Sequence, residues 1–509
     1  LHELSEDVDE DDSEIILHDT TSPDGYRVYL RSLSFIFIKA VKTLFPEKRA
    51  LVEHSISSGL YFTIRDGEKL VRLDSRMRDA LKEEMRRIVY EDKKIHREEM
   101  PIHKAYELFT NLGRKDKANL LKYREKGTIA VYHLGDAVDS FFGFMVPSTR
   151  YVNTFDLELF DHGIVVMGPE EDKKGIVHNF IPQYKLSQTY NEAEDWSELQ
   201  NITSVPKLNE LIENGEIGDV CRVMEAFQQN KIMKIAEEIN KRGKKIILIA
   251  APSSSGKTSF AYKLTTSLRV LGHRPIAIST DDYYVDREDT PLDENGEYDF
   301  ESLYSIDLEY FNRDLNKLMR GEEIERIRFD FVTGKRVHTG EMLKLSANDS
   351  VIIEGIHGLN PILTENIAEE YKYRIYLSVI TQINLDDHNR ISTTDLRLMR
   401  RIARDMQFRG RTPKQTISEW QSVRKGEIRN IFPFSEEADV MFNSSFIFEF
   451  AAIKPIIFGE LEKITEEEPE YIEAVRLKSF LQYFTSLEDS SDIINTSILR
   501  EFIGGSKIV

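Results

Sequence analysis

Residues 246–270 read IILIAAPSSSGKTSFAYKLTTSLRV. The apolar run Ile246–Ala250 passes into a serine-rich loop, and a helical pattern, Thr258–Val270, follows until Gly272. Strand, loop and helix stand in the order that a phosphate-cradling loop needs, which the glycine–lysine pattern alone does not guarantee. In such a loop, backbone N–H groups turn inward at the positive end of a helix dipole. Pro252, Ser253, Ser254, Ser255, Gly256, Lys257, Thr258 and Ser259 are the candidate nucleotide-binding residues. Gly256 lets the backbone approach the phosphates, Lys257 offers them a point charge, and the Thr258 hydroxyl suits Mg2+. Ala251 stands where the pattern usually opens with glycine.

Outward from this loop, short Ile/Val-rich runs alternate with helical stretches: KKIILIAAP, PIAIST, DSVIIEG, YRIYLSV and ADVMFN. That rhythm predicts an α/β unit with a doubly wound parallel sheet covered on both faces. Asp281 and Asp282 follow the strand Ile276–Thr280, and Glu354 ends the strand Val351–Glu354. Open α/β sheets bind ligands at those strand ends. A phosphotransferase uses carboxylates there to orient the acceptor hydroxyl and to hold the metal. Arg397, Arg400, Arg401, Arg404, Arg409 and Arg411 crowd into RLMRRIARDMQFRGR. A helix aligns Arg397, Arg401 and Arg404 on one face, and a basic helix with a glycine-loosened turn can close over phosphates.

The 509 residues suggest two or three domains, and 31% charged against 40% hydrophobic residues is a globular balance. The net charge of −20 argues against a nucleic-acid coat or a general binder of anionic membranes. No apolar run reaches the roughly 18–20 residues of a membrane span. The lone Cys221 excludes an internal disulfide, so a reducing, cytoplasmic compartment is expected. With Leu1 rather than Met first, the chain is expected to be a fragment or a processed product.

Residues 1–14 hold eight carboxylates and no Lys or Arg, and read as a solvated tail. Helices are expected over 27–45, 74–93 and 101–112, with strands at Gly59–Ile64 and Thr128–His133, an α+β pattern without βαβ rhythm. The stretch 170–206 reads as polar and irregular, 220–242 as an amphipathic helix, and 459–504 as a return to helix. His96 and His103, seven apart in what reads as a charged helical region, are expected at the surface and not as ligands.

The C-terminal motifs PSSSGKTS (252–259), ISTDDYY (278–284), DFESLYSID (299–307), FDFVTGKR (329–336), VIIEG (351–355), RLMRRIARD (397–405) and RGR (409–411) resemble, in order and separation, the uridine kinase family of P-loop kinases. The resemblance implies a Mg2+-dependent transfer of the γ-phosphoryl of ATP or GTP to a nucleoside 5′-hydroxyl. Asp281 would activate that hydroxyl, with Lys257, Arg404 and Arg409 also catalytic. Glu301 would bind the ribose. Tyr284, Phe300, Phe329, Phe331, Arg336 and Arg401 fall on the substrate side, and Arg404, Arg409 and Arg411 on the nucleotide. Thr258, Asp281 and Glu354 would surround Mg2+. Gly334 stands where the family usually has a base-reading His, which loosens the inference about the base.

The segments RSLSFIFIKAVKTLFP (31–46), VEHSISSGLYF (52–62) and DSFFGFMVPSTRYV (139–152) resemble the editing-type domain of threonyl-tRNA synthetase. Its two His and its Cys/His pair fall on Phe35, Lys39, Phe141 and Met145, so editing is expected to be absent. Together the halves resemble fused bacterial nucleoside kinases. The expected order is an acidic tail with an opening strand (1–26), a synthetase-like α+β domain (27–214), a connecting helix (215–243), the P-loop kinase (244–458) and a helical extension (459–509). The substrate is expected to be a nucleoside or a similar small alcohol, as in phosphoribulokinase-like enzymes, and the assembly a homo-oligomer without a membrane partner. The competing reading is an NTP-gated RNA- or translation-associated binding protein, motivated by the N-terminal half and the basic stretch Gly113–Lys126.

Overall fold

A computed structural model describes residues 17–508 apart from 125–126, 171–172 and 293–295, with the backbone alone at 173–174. The acidic run and most of the expected opening strand lie outside the described residues. The N-terminal half runs α1 (Pro23–Leu44), β1 (Arg49–Ile56), β2 (Gly59–Asp66), β3 (Lys69–Leu70), α2 (Ser75–Tyr90), β4 (His96–Pro101), α3 (Ile102–Asn111), α4 (Lys115–Leu121), β5 (Thr128–Leu134), β6 (Ala137–Ser140), β7 (Asp156–Phe160), β8 (Gly163–Met167), β9 (Pro169–Glu170) and β10 (Lys173–Val177). Three helices follow: α5 (Tyr184–Leu199), α6 (Val205–Glu213) and α7 (Ile217–Lys241).

The strands of this half pair antiparallel, in the order β1-β2-β8-β7 with β3 on β2, and in a second sheet β4-β5-β6. Helix α1 begins at Pro23, earlier than its apolar pattern, because the Ser22 side chain accepts from the Gly25 N–H and caps the first turn. Its buried run through Ser32–Val41 fills the core of this half with Phe62, Met85 and Ile164.

Two expectations fail here. The stretch 170–206 is not irregular: it contains β10 and the 16-residue α5. The buried side of α5 is Ser187, Thr189, Trp196 and Ser197, small polar groups around one tryptophan, so it carries almost no apolar period. The opposite half fixes it: Glu436 accepts from the N–H groups of Lys185 and Leu186 at its first turn. Trp196 packs on Phe227 of α7, with ring centroids 5.5 Å apart. His96 belongs to strand β4 and not to a helix, while both His96 and His103 are exposed.

The C-terminal half runs β11 (Ile246–Ala250), α8 (Lys257–Val270), β12 (Ile276–Ser279), α9 (Leu308–Met319), β13 (Glu323–Asp330), β14 (Lys335–Lys344), β15 (Val351–Glu354), β16 (Lys372–Ser378), α10 (Thr393–Phe408), α11 (Pro413–Asn430), β17 (Val440–Asn443), α12 (Glu449–Leu461), α13 (Tyr471–Leu481) and α14 (Arg500–Ile503). The sheet β12-β15-β11-β16-β17 is parallel throughout, with the loop-bearing β11 at its centre. Ile247 and Ile249 of β11 join one apolar cluster, and Ile246 and Leu248 another. Both faces are thus covered, which explains the unbroken Ile/Val runs. β13 and β14 form a separate antiparallel hairpin. The tail is only partly helical, since α13 and α14 are separated by the loop Gln482–Leu499.

One apolar cluster also crosses between the halves, joining Phe109, Leu120 and Val131 to Cys221, Met224, Leu481 and Tyr483. The basic stretch 113–126 takes part in this joint. Arg114 and Lys117 pair with Asp139, and Lys117, 2% exposed, pairs with Asp386 as well. Those two cations are committed to protein carboxylates, while Lys115 and Lys122 of the same stretch are exposed. No helix of the described residues is long and apolar enough to cross a membrane.

Candidate active site

The chain leaves β11 through Ala251–Gly256 and turns into α8. Gly256 has φ +79°, and an added Cβ would lie 2.4 Å from Ile498 Cγ2. Glycine is required there by the turn and by the C-terminal segment packed on it. Ser254 is left-handed too, at φ +61°, which costs a non-glycine residue about 1–2 kcal/mol. The hydrogen bonds that hold the loop offset that strain. Arg397 donates to Ser253 O and Arg400 to Ser254 O, both at 3.3 Å, and Ser444 Oγ donates to Ser255 O at 2.7 Å.

Those arginines are themselves clamped. Arg397 forms a two-pronged ion pair with Glu427, whose Oε1 also accepts the Ser253 N–H at 3.0 Å. Arg400 pairs in the same way with Glu449, and neither is accessible to solvent. Arg397 lies over Trp420 of α11, 5.4 Å from the ring centroid. The expected alignment of Arg397 with Arg401 and Arg404 over the phosphates is therefore corrected. Arg397 is buried because a carboxylate and a loop carbonyl satisfy its donors. Nothing in the arginine spacing revealed this role. Glu449, a carboxylate inside the apolar run FIFEFAAI, was the readable signal, because such a group must find a cation.

Asp281 and Glu354 meet at the strand ends. Ser279 of β12 pairs in register with Glu354 of β15, and Asp281 follows in the turn Thr280–Tyr283. Gly355 is packed so tightly on Thr280 that a Cβ would sit 1.8 Å from Oγ1. Burial raises both carboxyl groups above their ordinary range, and the Lys257 ammonium pulls both back. Glu301 is pushed up to about 7 by burial first and by Glu427 second, again opposed by Lys257. Its side chain lies against Gly426 of α11. Lys257, Asp281, Glu301 and Glu354 thus share one electrostatic neighbourhood, while Lys257 Nζ donates to Ala251 O at 3.2 Å. Asp282 instead accepts from the Phe329 N–H, tying the turn to β13.

Around the buried Asp405 stand Arg401, Arg404 and Arg409, at 3.4, 2.9 and 3.6 Å. With Glu419, 3.7 Å from Arg401, and Arg411, two carboxylates stand against four guanidiniums and leave a cationic surplus; burial with mutual repulsion lowers Arg401 and Arg409. Arg401 also donates to Ser253 Oγ at 2.9 Å. Arg409 acts on Asp281 across the site. The Arg411 guanidinium is further from the Asp405 carboxylate and pairs with Glu419, which it shares with Arg401.

Tyr284, Phe329 and Phe331 form an edge-to-face cluster with centroids 5.3–6.3 Å apart. Phe331 is 60% exposed and Phe300 41%. Arg336 donates to Tyr284 O at 3.2 Å and to Asp307 at 3.1 Å, while its buried Nε has no hydrogen-bond partner among the described residues. Gly334 has φ +71°, and a Cβ there would meet Arg287 at 2.8 Å.

The loop fits a polyphosphate: its buried Ser254 and Ser255 hydroxyls have no protein partner, although buried polar groups are ordinarily bonded. No group of three or more His, Cys, Asp and Glu side chains among the described residues could hold a metal by itself. Two carboxylates and the exposed Thr258 fit Mg2+, which is usually held by one or two carboxylates plus substrate phosphates.

Residues 246–446 match the phosphoribulokinase / uridine kinase family. A uridine kinase of Borrelia duttonii is 30% identical over 201 residues, 39% of this chain and 85% of that relative. The chain belongs to this family. It is a P-loop small-molecule kinase. A uridine kinase of Macrococcus caseolyticus is 27% identical over 197 residues, 38% of this kinase and 86% of the relative. A solved structure described as a possible uridine kinase from Bacillus stearothermophilus shows 19% identity, covering 43% of this chain and 100% of that one, with a TM-score of 0.28.

Proposed function

We propose that this kinase transfers the γ-phosphoryl group of ATP or GTP to the 5′-hydroxyl of a nucleoside. The observation that carries this reading is the convergence of Lys257, Asp281, Glu301 and Glu354 beside the phosphate loop. Asp281 accepts the hydroxyl proton and orients the attacking oxygen. Lys257 and the Arg401–Arg404–Arg409 group stabilise charge on the transferred phosphoryl. Glu301 binds the sugar hydroxyls, and the Tyr284–Phe329–Phe331 cluster, with Phe300, offers a face for a flat base. Thr258, Asp281 and Glu354 would hold Mg2+, which neutralises polyphosphate charge when bound.

Two features shape the expected substrate side. Arg336 braces the Tyr283–Tyr284 turn beside the aromatic cluster, and Gly334 cannot donate to a base edge. The base is then held by stacking, and discrimination between bases is weak. Purified protein with Mg-ATP or Mg-GTP and single nucleosides, assayed for 5′-monophosphates by mass spectrometry, tests this. Product that disappears in Asp281→Asn is expected; no product from any nucleoside overturns it.

Residues 27–214 are read as a threonyl-tRNA synthetase-like module without editing chemistry. Phe35 and Phe141 pack edge-to-face at 5.3 Å, Met145 shares their core, and Lys39 pairs with Asp136. Four such positions offer neither a nucleophile nor a metal ligand. Unchanged seryl-tRNA after incubation with the protein is the expected result, and deacylation would overturn it.

A further inference from the structure

A second cavity, of about 210 Å³, lies away from the phosphate loop, between α1, the segment Leu385–Ser392 and α13. Four arginines line it: Arg27, Arg31, Arg390 and Arg476. Two of them are neutralised. Arg27 pairs with Asp24 and Glu473, and Arg476 with Asp395 and Glu473, the latter two at 2.6 Å. The other two make no close ion pair among the described residues, although Asp24 acts on Arg31 and Asp395 on Arg390 from further off. Arg31 donates only to Phe144 O, at 2.6 Å, and Arg390 makes no hydrogen bond or ion pair there.

Four cations face three carboxylates, so the cavity keeps one positive charge. A half-buried guanidinium without an anion in contact is costly to the fold. Burial accordingly pulls Arg31 down to about 10, and lowers Arg390 as well. The remaining wall is mixed: Leu30, Leu60, Phe142 and Phe480 form its apolar part, and Ser34, His388, Asn389 and Ser392 its polar part. The space exceeds that of an engineered cavity of roughly 150 Å³ that takes up benzene.

We propose that this cavity is a binding site for a small organic carboxylate, its head between Arg31 and Arg390 and its apolar body against Leu30, Phe142 and Phe480. The single surplus charge suits a monoanion, and a planar carboxylate matches the guanidinium fork. Asp395, in the first turn of α10, borders the cavity, and the same helix carries Arg397 and Arg400, which hold the phosphate loop. A ligand there would bear on the nucleotide site through one rigid element.

The probe is 3-phenylpropionate, titrated calorimetrically into the full chain, with 3-phenylpropanamide as its uncharged counterpart and inorganic phosphate as a competitor. Saturable one-to-one binding is expected, weakened by about tenfold or more in the amide and in Arg390→Gln or Arg31→Gln. Lys257→Ala should bind the acid as the parent does. Arg390→Gln should melt no lower than the parent, because it removes an unpaired desolvated cation. Absence of saturable binding, equal binding of the amide, or unchanged affinity in both Arg→Gln variants would overturn the proposal. So would a clearly lower melting temperature of Arg390→Gln, which would make Arg390 structural. Displacement by equimolar phosphate would make the site a phosphate site and overturn the carboxylate assignment.

Discussion

Glu501 Oε2 accepts a hydrogen bond from Ser259 Oγ at 2.6 Å, tying α14 to the last residue of the phosphate-loop motif. Its charge reaches Glu354 as well. A carboxylate so near a polyphosphate site opposes anion binding. Glu501→Gln keeps an acceptor for Ser259 and removes the charge. ADP should then bind about three- to tenfold more tightly, a Coulombic gain of the order expected at intermediate dielectric. Titration calorimetry checks it, and equal or weaker affinity would count against the assignment.

Asp281→Asn should lower kcat for nucleoside phosphorylation by about 10²- to 10⁴-fold, the range that general-base catalysis supplies. ATP binding should persist, since the loop is intact. A variant that turns over within a few-fold of the parent removes Asp281 from the mechanism.

Glu449→Ala leaves Arg400 buried without its carboxylate, beneath the loop carbonyl that it supports. A loss of about 3–5 kcal/mol in unfolding free energy is expected. Urea denaturation measures it. A loss below 1 kcal/mol would show that Arg400 finds another anion or reaches solvent.

Gly334→His places the side chain its relatives are expected to carry into a left-handed turn already filled by Arg287. The variant should lose about 1–2 kcal/mol from the turn alone and gain no base selectivity. Sharper discrimination between uridine and adenosine in a stable variant would refute the steric argument.

His54 and His357 are buried, and burial depresses them to about 3 and about 4. Unfolded imidazoles take up protons near pH 6.5, so the unfolded state binds more protons below that pH, and stability falls as pH falls. Each contributes a loss of about 2 kcal/mol between pH 7 and 5. Comparing the unfolding free energies of His54→Gln and His357→Gln at those two pH values isolates the effect from the carboxylates. Variants that lose as much as the parent on acidification would sink it.

The central strands β15, β11 and β16 were legible because they are buried on both faces and rich in Ile, Val, Leu and Tyr, and the edge strands β12 and β17 because short apolar runs recur at the same rhythm. The phosphate loop was legible because its glycine and lysine are demanded by the anion. Helix α5 was not, since its inward positions are serine and threonine around one tryptophan, and its first turn is held by Glu436 of the facing half. Arg397 was aligned with Arg401 and Arg404, and Arg400 was given no face, because a helical repeat fixes angles and not what lies opposite. Glu427 and Glu501 meet the loop only through long-range folding, and local pattern cannot show such contacts.

Trp420 under Arg397 and Trp196 against Phe227 are the two tryptophans of the chain. One sits beneath the phosphate loop and the other where the two halves join. Their emission is therefore a pair of label-free reporters at separate places. With Trp196→Phe the remaining fluorescence follows the loop, and with Trp420→Phe it follows the joint. Whether the halves come apart before the loop loosens can then be watched as two optical transitions in one molecule.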